Sequence, residues 1–384
     1  MECVLVHYSE IGLKGKNRQS FELALVGNIR AALKGSRVQR LQGRLAVFPA
    51  KDAEEAGVRA RLAKVPGISS FSNAIRTGKD MDEVKEALDS LIGGLKAGDV
   101  KTFAVDASRS DKGFPHTSMD MNRMLGDHVG KKTGWKVNLR KPDVTISVEV
   151  TYREAFSYAE KVKGMGGLPV GSGGTLVSLI SGGLDSPVAS MRMMRRGCEI
   201  VFVHFHNWTA QKDVVKDKVE RLVKVLSEFQ PRTVLYMVPF EEIQKEMVMK
   251  VPSDYRMIVY RRMMFRIAGL IAQKERALGF VTGDSVGQVA SQTLENLGCI
   301  YPAAGILPVF SPLAGDNKED IMGEARKIGT YDISILPYSD CCSFLVAEHP
   351  QTRARLRDVE MIEKNMDMEG LANKAMTAAE KQDF

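Results

Sequence analysis

The sequence predicts an α/β chain with two small α+β units in its first half and a doubly wound parallel sheet in its second half. The length of 384 residues exceeds the roughly 100–200 residues of a typical domain, so two or three domains are expected. Residues 164–175 contain six glycines in twelve positions, a composition that resists regular structure and predicts an interdomain linker. Beyond this stretch, strand and helix patterns alternate, as they do in a parallel sheet that is covered by helices on both faces.

The composition excludes several classes of protein. Hydrophobic residues make up 44% of the chain and charged residues 26%, which is ordinary globular usage and excludes disordered, collagenous and coiled-coil chains. The formal net charge of +7 favours a polyanionic partner such as a nucleic acid. The amino terminus lacks a cationic signal region, and no uncharged apolar run approaches the roughly 18–20 residues that span a bilayer. We therefore expect neither secretion nor membrane insertion.

The cysteines point to a reducing compartment. Five cysteines in so long a chain do not make a disulfide framework, and no CxxC pair is present to suggest a zinc ribbon. We therefore expect a cytoplasmic protein. The five cysteines are Cys3, Cys198, Cys299, Cys341 and Cys342.

The first half of the chain shows two successive mixtures of strand and helix patterns. Residues 1–57 have the order strand, helix, strand, strand, followed by a second amphipathic run, which is ferredoxin-like in character. Residues 58–162 show a similar mixture, and the two parts make either two small domains or one fused pair. The predicted helices are 18–33, 81–95 and 119–132. The predicted strands are 4–6, 38–41, 45–48, 102–107, 144–150 and 155–159.

The second half shows the alternation that predicts the parallel sheet. The linker glycines precede the first strand of this half, whereas a dinucleotide-binding glycine fingerprint follows a strand and opens a helix. A Rossmann interpretation of these glycines therefore fails on position. The strand patterns are 175–180, 199–205, 233–238 and 280–281, and the helical patterns are 187–196, 214–229 and 257–278.

A short loop, Ser-Gly-Gly-Leu-Asp-Ser at 181–186, follows the first of these strands directly. Its glycines let the backbone approach a ligand closely, and its hydroxyls and the start of a helix, which we expect Pro187 to open, converge on a site for phosphate. No GK[ST] follows, so this is not a Walker A loop. Asp185 would repel phosphate unless a divalent cation bridged the two, which makes it a candidate ligand of Mg²⁺ through pyrophosphate. The alternative is a tight turn in which Ser186 or Asp185 merely caps the helix.

This loop resembles the PP-loop of ATP pyrophosphatases, which cleave ATP between the α and β phosphates. Further motifs resemble, in order and spacing, those of the tRNA 4-thiouridine synthetases (tRNA sulfurtransferases) over essentially the whole chain. These motifs are YSEIGLKGKNR at 8–18, RSDKGFP at 109–115, VHFH at 203–206, TGDSVGQVASQT at 282–293 and DCC at 340–342.

The resemblance implies three domains. They are an N-terminal ferredoxin-like domain at 1–57, a THUMP RNA-binding domain at 58–162 and a PP-loop catalytic domain at 175–384, with the glycine-rich linker at 163–174. Some bacterial members add a rhodanese domain. The chain stops at Phe384 without room for one, so we expect the form that lacks it.

The resemblance also implies an ATP site and a sulfur carrier. Asp185 and Lys318 correspond to catalytic positions, and Cys342 corresponds to the cysteine that carries sulfur as a persulfide. From the residues alone, His204 would be a core or strand-end histidine and Lys318 a solvated lysine at a helix start. The positions that match the ATP contacts of the family are Leu179, Ile180, Ser181, Gly182, Gly183, Ser186, His204, Phe205, Arg261, Gly283 and Gln292.

Cys341 and Cys342 lie between polar residues in a predicted loop. Persulfide chemistry needs an accessible thiolate, and a nearby cation such as Arg353 could lower its pKa. From the sequence alone, a pair of small buried hydrophobes is an equally good interpretation, and the other three cysteines are expected to be structural. Some archaeal relatives hold an iron–sulfur cluster with a CxxC pair. Because the corresponding residues here are Met257 and Tyr260, we expect no cluster.

The middle of the chain carries a group of basic residues that are expected to contact the phosphates of tRNA. In the family, the THUMP region grips the acceptor end of tRNA, which measures shape more than base sequence. Scattered surface lysines are the alternative. The residues are Arg109, Lys112, Arg123, Lys131, Lys132, Arg140 and Lys141.

We therefore expect an ATP-dependent enzyme that forms 4-thiouridine at tRNA position 8. A cysteine desulfurase or sulfide would donate the sulfur. The protein could form a homodimer. The family also supplies sulfur for the thiamine thiazole in some organisms. Two other hypotheses stay open here. A PP-loop ligase or amide synthetase acting on a small molecule would keep its turnover without the amino-terminal half. An RNA-binding protein with a vestigial nucleotide site would bind tRNA without releasing pyrophosphate.

Overall fold

The structure, a computed structural model, describes residues 2–95, 100–207, 212–337 and 347–384, apart from the side chains of 212–215. The chain separates into two compact units, residues 1–168 and residues 169–384. The division falls inside the predicted linker, 163–174. The limits predicted for the individual domains stay a prediction.

The described strands of the first unit form a single sheet. Its strands are β1 (Glu2–His7), β2 (Arg37–Leu41), β3 (Arg44–Phe48), β4 (Ser70–Thr77), β5 (Thr102–Arg109), β6 (Lys136–Val137), β7 (Val144–Val150), β8 (Ala155–Tyr158) and β9 (Val162–Lys163). Its helices are α1 (Arg18–Ala32), α2 (Glu55–Leu62), α3 (Met81–Gly94) and α4 (Ser118–Thr133). Within the described residues the strand order is β2-β3-β1-β4-β8-β7-β5-β6, with β9 paired to β4. Pairing of Val4 in β1 with Asn73 in β4 joins the two predicted parts, so they share one sheet.

Helix α4 illustrates why the predicted helices form. Met121, Leu125 and Val129 recur at four-residue intervals and are fully buried, so one stripe of the helix packs on the sheet. Thr117 and Asp120 form a reciprocal capping box at its start, which satisfies backbone donors that the helix itself leaves without acceptors. Sequence pattern and local capping therefore predict this helix within one residue at each end.

The core of the amino-terminal part extends beyond residue 57. That predicted limit falls inside α2, and Val58 and Leu62 of this helix pack with Leu45 and Phe71 of the sheet in one apolar cluster. Helix α2 thus closes the core formed by the strands that precede and follow it.

The second unit is the predicted parallel-sheet domain. Its strands are β10 (Thr175–Leu179), β11 (Glu199–His206), β12 (Val234–Pro239), β13 (Phe280–Val281), β14 (Val309–Phe310) and β15 (Glu380–Asp383). Its helices are α5 (Asp185–Met194), α6 (Lys212–Ser227), α7 (Glu241–Lys250), α8 (Arg256–Glu275), α9 (Leu294–Ile300), α10 (Lys318–Ile328), α11 (Tyr331–Ser334), α12 (Leu356–Glu363) and α13 (Met368–Thr377). The order is β14-β13-β10-β11-β12-β15, and the strands are parallel except for β15, which runs antiparallel to β12. The predicted fold class is confirmed.

Helix α5 begins earlier than the sequence predicts. It starts at Asp185 rather than at Pro187, because proline is tolerated throughout the first helical turn, where its missing N–H has no intrahelical acceptor. Asp185 therefore belongs to the first turn of the helix. The chain leaves α5 through Gly197, whose φ of +88° is readily accessible to glycine.

Helix α8 lies in the core of the second unit. Tyr260, Met263 and Ile267 are fully buried and belong to the same apolar cluster as Phe280 of β13. This packing fixes the helix beside the carboxyl end of the sheet. Among the residues that the structure describes, no helix combines the length and apolar character needed to cross a bilayer.

Candidate nucleotide-binding site

A cavity of about 310 Å³ lies at the carboxyl ends of the parallel strands β13, β10 and β11. From β10 the chain continues to β11 on one side, whereas β13 lies on the other side. The strand order therefore reverses at β10. In open α/β sheets, this switch point is where ligands bind.

The cavity brings together most of the residues that were predicted to contact ATP. Gly182 and Gly183 belong to the same loop without lining the cavity, and Lys318 reaches it through Asp185. The predicted residues in its lining are Leu179, Ile180, Ser181, Asp185, Ser186, His204, Phe205, Arg261, Gly283 and Gln292.

The loop between β10 and α5 is held in shape by its own hydroxyls. The backbone N–H of Ser181 donates to Ser186 Oγ over 2.9 Å, and that of Gly183 donates to Ser181 Oγ over 3.3 Å. Leu184 is the N-cap of α5 and makes no side-chain capping hydrogen bond, so neither Ser186 nor Asp185 serves as the cap. The amino end of α5, with its partial positive charge and its amides directed outward, suits a phosphate group.

Asp185 connects this loop to two distant segments. Its Oδ1 accepts a hydrogen bond from Lys318 Nζ over 2.7 Å, and its Oδ2 accepts one from Gln288 Nε2 over 3.1 Å. Lys318 is the first residue of α10, which agrees with the expectation of a lysine at a helix start. Its ammonium group is paired with Asp185 and does not point only into solvent. Two of the three residues predicted to be catalytic, Asp185 and Lys318, are therefore in direct contact.

Arg192 holds the segment that carries Lys318. It lies two turns after Asp185 on α5, and its guanidinium donates to the Pro312 carbonyl over 2.8 Å and to both carboxylate oxygens of Glu324 over 2.9 Å. These acceptors precede and follow Lys318 in the chain. The helix that presents Asp185 thus also fixes the segment that presents its lysine partner.

Gly283 lies in van der Waals contact with the start of α5. A Cβ atom at this position would lie 2.7 Å from the Ser186 nitrogen and 2.8 Å from the Asp185 carbonyl carbon. Backbone atoms cannot yield to such an overlap, so only glycine fits here. The segment after β13 is consequently fixed against the phosphate-binding loop.

His204 is buried at the end of β11 with its ring against the neighbouring strand. Its Nδ1 lies 2.9 Å from the carbonyl oxygen of Ile180, and because a carbonyl oxygen only accepts, Nδ1 carries the hydrogen. The residue is therefore a strand-end histidine that also lines the cavity. The interpretation as a strand-end residue and the interpretation as a residue of the ATP site are thus compatible.

Arg261 projects from α8 into the cavity wall and is paired with a buried carboxylate. Its Nη2 lies 2.6 Å from Oδ2 of Asp284, and its Nη1 donates to the Ser291 carbonyl over 3.3 Å. Asp284 also accepts hydrogen bonds from Gln292 and Tyr301. Burial by itself would raise the pKa of Asp284, but the Arg261 charge and the hydrogen bonds from Arg261, Thr282 and Tyr301 outweigh it and hold the pKa below its usual value. Asp284 is thus ionised at neutral pH and offsets the charge of Arg261.

Sequence reasoning missed part of this wall. Met257 was singled out only as the replacement of a cluster cysteine, and Asp284 was not singled out at all. Most of the missed residues lie in the motif at 282–293, directly after β13, so the available signal was a polar run at the carboxyl end of a buried strand. The missed residues are Met257, Met264, Thr282, Asp284, Val289 and Ser291 in the lining, and Gln288 at Asp185.

The sulfur-carrying cysteine of the prediction, Cys342, lies outside the described residues together with Cys341. Cys3, Cys198 and Cys299 are buried free thiols. Burial raises the pKa of all three thiols, that of Cys3 to about 11, so they stay protonated at neutral pH. This agrees with the structural role expected for them.

Met257 and Tyr260 stand at the positions that hold the cysteines of an iron–sulfur cluster in some relatives. Tyr260 is fully buried in the core, and Met257 lines the cavity. Across the described ranges, no group of three or more His, Cys, Asp and Glu side chains is arranged to hold a metal ion. The expectation that the protein contains no iron–sulfur cluster stays a prediction.

The basic residues predicted to contact RNA all belong to the first unit, and they differ in what they contact. Arg109 donates to the carbonyl oxygens of Lys112 and Phe114, so it braces its own loop. Lys132 pairs with Asp89. The remaining predicted residues have exposed side chains, and they are Lys112, Arg123, Lys131, Arg140 and Lys141.

The first unit also contains a basic cleft that was not predicted. It encloses about 560 Å³ and is edged by the exposed Tyr152. Glu22 at its floor accepts a hydrogen bond from Arg18 Nε over 2.9 Å and lies 3.4 Å from Arg40 Nε. Its basic lining residues are Lys16, Arg18, Arg40 and Arg153.

Three protein-family models match successive parts of the chain. The ThiI ferredoxin-like domain matches residues 3–72, the THUMP domain matches residues 78–158, and the thiamine biosynthesis protein (ThiI) matches residues 171–368. Together these matches cover most of the chain, including the cavity described above.

Several relatives align with nearly the whole chain. A probable tRNA sulfurtransferase of Thermus thermophilus is 43% identical over 376 residues, which are 97% of this chain and 91% of that protein. One from Caldanaerobacter subterraneus is 43% identical over 370 residues, which are 95% of this chain and 96% of that protein. Among solved structures, a 4-thiouridine synthetase in complex with RNA and ATP is 37% identical, with a TM-score of 0.90 and full coverage of both chains.

Proposed function

The chain belongs to the ThiI family, and we propose on this premise that it is an ATP-dependent tRNA sulfurtransferase that forms 4-thiouridine at position 8. The observation that carries the proposal is the contact between Asp185 and Lys318 at the start of α5. It places a carboxylate and an ammonium group beside a serine- and glycine-rich loop that suits phosphate. The relatives named above support the choice of substrate.

Each chemical step has a place in this arrangement. Uridine O4 attacks the α-phosphorus of ATP, the bond to the bridging oxygen breaks, and pyrophosphate leaves. The loop at 181–186, Lys318 and Arg261 hold the phosphates and offset their charge. Adenylation converts O4 into a good leaving group. The terminal sulfur of a Cys342 persulfide then attacks C4, the C4–O4 bond breaks, and AMP leaves.

The sulfur step leaves a disulfide between C4 of the base and Cys342. A thiolate must attack the cysteine sulfur to release 4-thiouridine, and Cys342 then remains in a disulfide with that thiol. Cys341 is one candidate for this thiol, another cysteine is a second, and no thiol is needed if sulfide attacks C4 directly. A cysteine desulfurase, which transfers the outer sulfur of its own persulfide, is the donor that loads Cys342, whereas sulfide would act only by the direct attack on C4.

The residues present fit a Mg²⁺ ion that is shared with the phosphates of ATP. Magnesium in phosphoryl-transfer sites is usually held by one or two carboxylates and by the substrate, and it keeps several waters. Asp185 is the carboxylate at the amino end of α5, beside the hydroxyls of Ser181 and Ser186. When bound, the ion supplies positive charge for the leaving pyrophosphate. Lys318 and Gln288, the present partners of Asp185, position its carboxylate for this contact.

The two competing hypotheses are less well supported. A small-molecule ligase would have no use for the ferredoxin-like and THUMP regions, yet the two sulfurtransferases named above match the chain over at least 95% of its length. A vestigial nucleotide site would not be expected to keep the loop at 181–186 and the Asp185–Lys318 pair. The description of the family model as a thiamine biosynthesis protein favours sulfur supply for a thiazole as a second candidate function.

The decisive experiment measures thiouridine directly. The protein is incubated with unmodified tRNA, Mg-ATP and either sulfide or a cysteine desulfurase with cysteine, and the tRNA is monitored by its near-ultraviolet absorbance. We expect the absorbance of 4-thiouridine to rise only when ATP is present. A tRNA with cytidine at position 8 is the matched control, and equal labelling of both tRNAs would refute the proposed site of modification.

The sulfur carrier can be separated from the adenylation step. The Cys342→Ser variant should still release pyrophosphate in the presence of tRNA, because the cysteine acts only after uridine O4 has been adenylated. It should form no 4-thiouridine when a desulfurase supplies the sulfur. Pyrophosphate release and thiouridine are measured in the same reaction, with Cys198→Ser as the control for a buried cysteine. Normal thiouridine formation by Cys342→Ser would show that another group carries the sulfur.

The predicted RNA contacts are tested by the salt dependence of binding. Removing the exposed Arg140 and Lys141 together should weaken tRNA binding by about tenfold and reduce the slope of log K against log salt by about two, one for each phosphate that is no longer neutralised. Lys245→Ala combined with Lys250→Ala removes the same charge from α7 and is the control. An unchanged salt slope would show that Arg140 and Lys141 do not touch the RNA backbone.

A further inference from the structure

A single buried carboxylate joins three segments of the nucleotide-site wall. Asp284 is 4% exposed. Its Oδ2 accepts from Arg261 Nη2 over 2.6 Å and from the Tyr301 hydroxyl over 2.9 Å, and its Oδ1 accepts from Gln292 Nε2 over 3.0 Å. These donors come from α8, from the segment after α9 and from the turn before it. All three hydrogen bonds converge on one side chain.

The backbone next to Asp284 is itself fixed. Its neighbour Gly283 packs so closely on the start of α5 that a Cβ atom would lie 2.7 Å from the Ser186 nitrogen. The position of Asp284 relative to the phosphate-binding loop is therefore set by backbone contact. Through Asp284, Arg261 acquires a defined distance and orientation to that loop.

The chemistry of Asp284 argues against a direct role with the ligand. Both of its oxygens are engaged by donors of the protein, and an anionic carboxylate facing a triphosphate would repel it. The adjacent Arg261 guanidinium is a planar group with five N–H donors. Engaging Nη2 with Asp284 fixes the plane of the group, and an arginine in a fixed orientation binds phosphate better than a mobile one because less side-chain entropy is lost.

We propose that Asp284 is a positioning residue for nucleotide binding, which holds Arg261 and Gln292 in the orientation in which they meet ATP. The inference rests on the proposed ATP-dependent function. It goes beyond that function because it assigns a role in affinity to a carboxylate whose two oxygens are already engaged by donors of the protein.

The Asp284→Asn variant tests this role with little change in shape. An asparagine carries no negative charge to pair with Arg261, and it offers one accepting oxygen where the carboxylate offers two. We expect the dissociation constant of a non-hydrolysable ATP analogue to rise about tenfold in calorimetry, which is the loss of one hydrogen bond to a charged group. The KM for ATP should rise by a similar factor, while kcat should stay within about twofold.

Glu275 provides a matched control in the same unit. Its carboxylate is also buried and also accepts from an arginine, a tyrosine and a third donor: Arg232 over 2.8 Å, Tyr236 over 2.6 Å and Lys381 over 2.9 Å. It lies away from the lining of the cavity. Glu275→Gln should lower the thermal stability of the unit as Asp284→Asn does, yet leave ATP affinity unchanged.

A milder variant keeps the test meaningful if Asp284→Asn folds poorly. Tyr301→Phe removes one of the three donors and leaves both charges in place, and it should weaken ATP binding by roughly two- to threefold. In an Arg261→Lys background, Asp284→Asn should have almost no further effect, because the group that it positions has already been changed.

The outcomes separate the inference from the function on which it rests. Failure of the wild type to bind the ATP analogue would contradict the proposed function. Wild-type affinity in folded Asp284→Asn, or an equal loss in Glu275→Gln, would overturn the role of Asp284 and leave the function standing. A rise in KM confined to Asp284→Asn and Tyr301→Phe would establish the role.

Discussion

The Asp185→Asn variant should stay folded and bind tRNA, yet release pyrophosphate from ATP on the order of 10²–10³-fold more slowly than the wild type. Asp185 stands in the first turn of α5, where the loop, the helix end and Lys318 meet. The neutral asparagine removes the candidate Mg²⁺ ligand. It also removes the anionic partner of Lys318, whose Nζ lies 2.7 Å from Asp185 Oδ1 in the wild type. Both losses act on the charge that develops on the departing pyrophosphate.

The measurement is pyrophosphate release in the presence of tRNA and Mg-ATP, with tRNA binding and thermal stability followed in parallel. Asp332→Asn is the matched control, because Asp332 is an exposed aspartate in the first turn of another helix of the same unit, α11. Lys318→Ala should reproduce the defect of Asp185→Asn. Pyrophosphate release by Asp185→Asn at the wild-type rate would remove this carboxylate from the mechanism.

Local patterns predicted helices α1, α3, α4 and α6 and strands β5, β7 and β11, because their signal is contained within a few turns of chain. Helix α4 is an example, with its capping box and its apolar stripe. Local patterns did not predict the eight-residue strand β4 or helices α7, α9, α12 and α13. Among the strands that were missed, β15 has no such signal. All four residues of β15, Glu380–Asp383, are polar, and only pairing with β12 makes this segment a strand. The start of α5 was misjudged because Pro187 is compatible with several positions in a first turn.

The site could be predicted in part for a similar reason. The loop at 181–186 is a compact motif after a buried strand, and its residues identify a phosphate site by themselves. The contact between Asp185 and Lys318 joins positions 133 residues apart, and only the fold or the family resemblance connects them. Asp284 was missed although it lies within a quoted motif, because its role arises from donors on three separate segments and not from the sequence around it.

The largest effect on stability is expected at Glu363, on the far side of α8 from the nucleotide cavity. Both oxygens of this buried carboxylate accept hydrogen bonds from Arg262, over 2.8 and 2.9 Å, and from Arg266, over 2.8 and 2.7 Å. The Arg262 side chain is only 4% exposed. One anion thus offsets the charge of Arg262 in the core and that of the partly exposed Arg266, and this anion ties α12 to α8.

Glu363→Ala should lower the free energy of unfolding of the second unit by about 3–5 kcal/mol, because it leaves a buried guanidinium without its counter-charge. For a unit of this size, the change corresponds to a fall in Tm of roughly 6–20 °C, measured by circular dichroism. Glu360→Ala, an exposed position on the same helix, should change the free energy by less than about 0.5 kcal/mol. A similar small effect of Glu363→Ala would show that the network contributes little.

The pH dependence of the same pair of proteins identifies the cause. Burial by itself would raise the pKa of Glu363, but the hydrogen bonds and charges of Arg262 and Arg266 outweigh it and hold the pKa below its usual value. A carboxyl whose pKa is lower in the folded state stabilises the protein above its unfolded pKa of about 4.3, and this stabilisation is lost as the pH falls through the folded value. The difference in unfolding free energy between wild type and Glu363→Ala should therefore be constant near neutral pH and shrink below about pH 4. A difference that persists unchanged into acid would assign the effect to lost packing instead of lost charge.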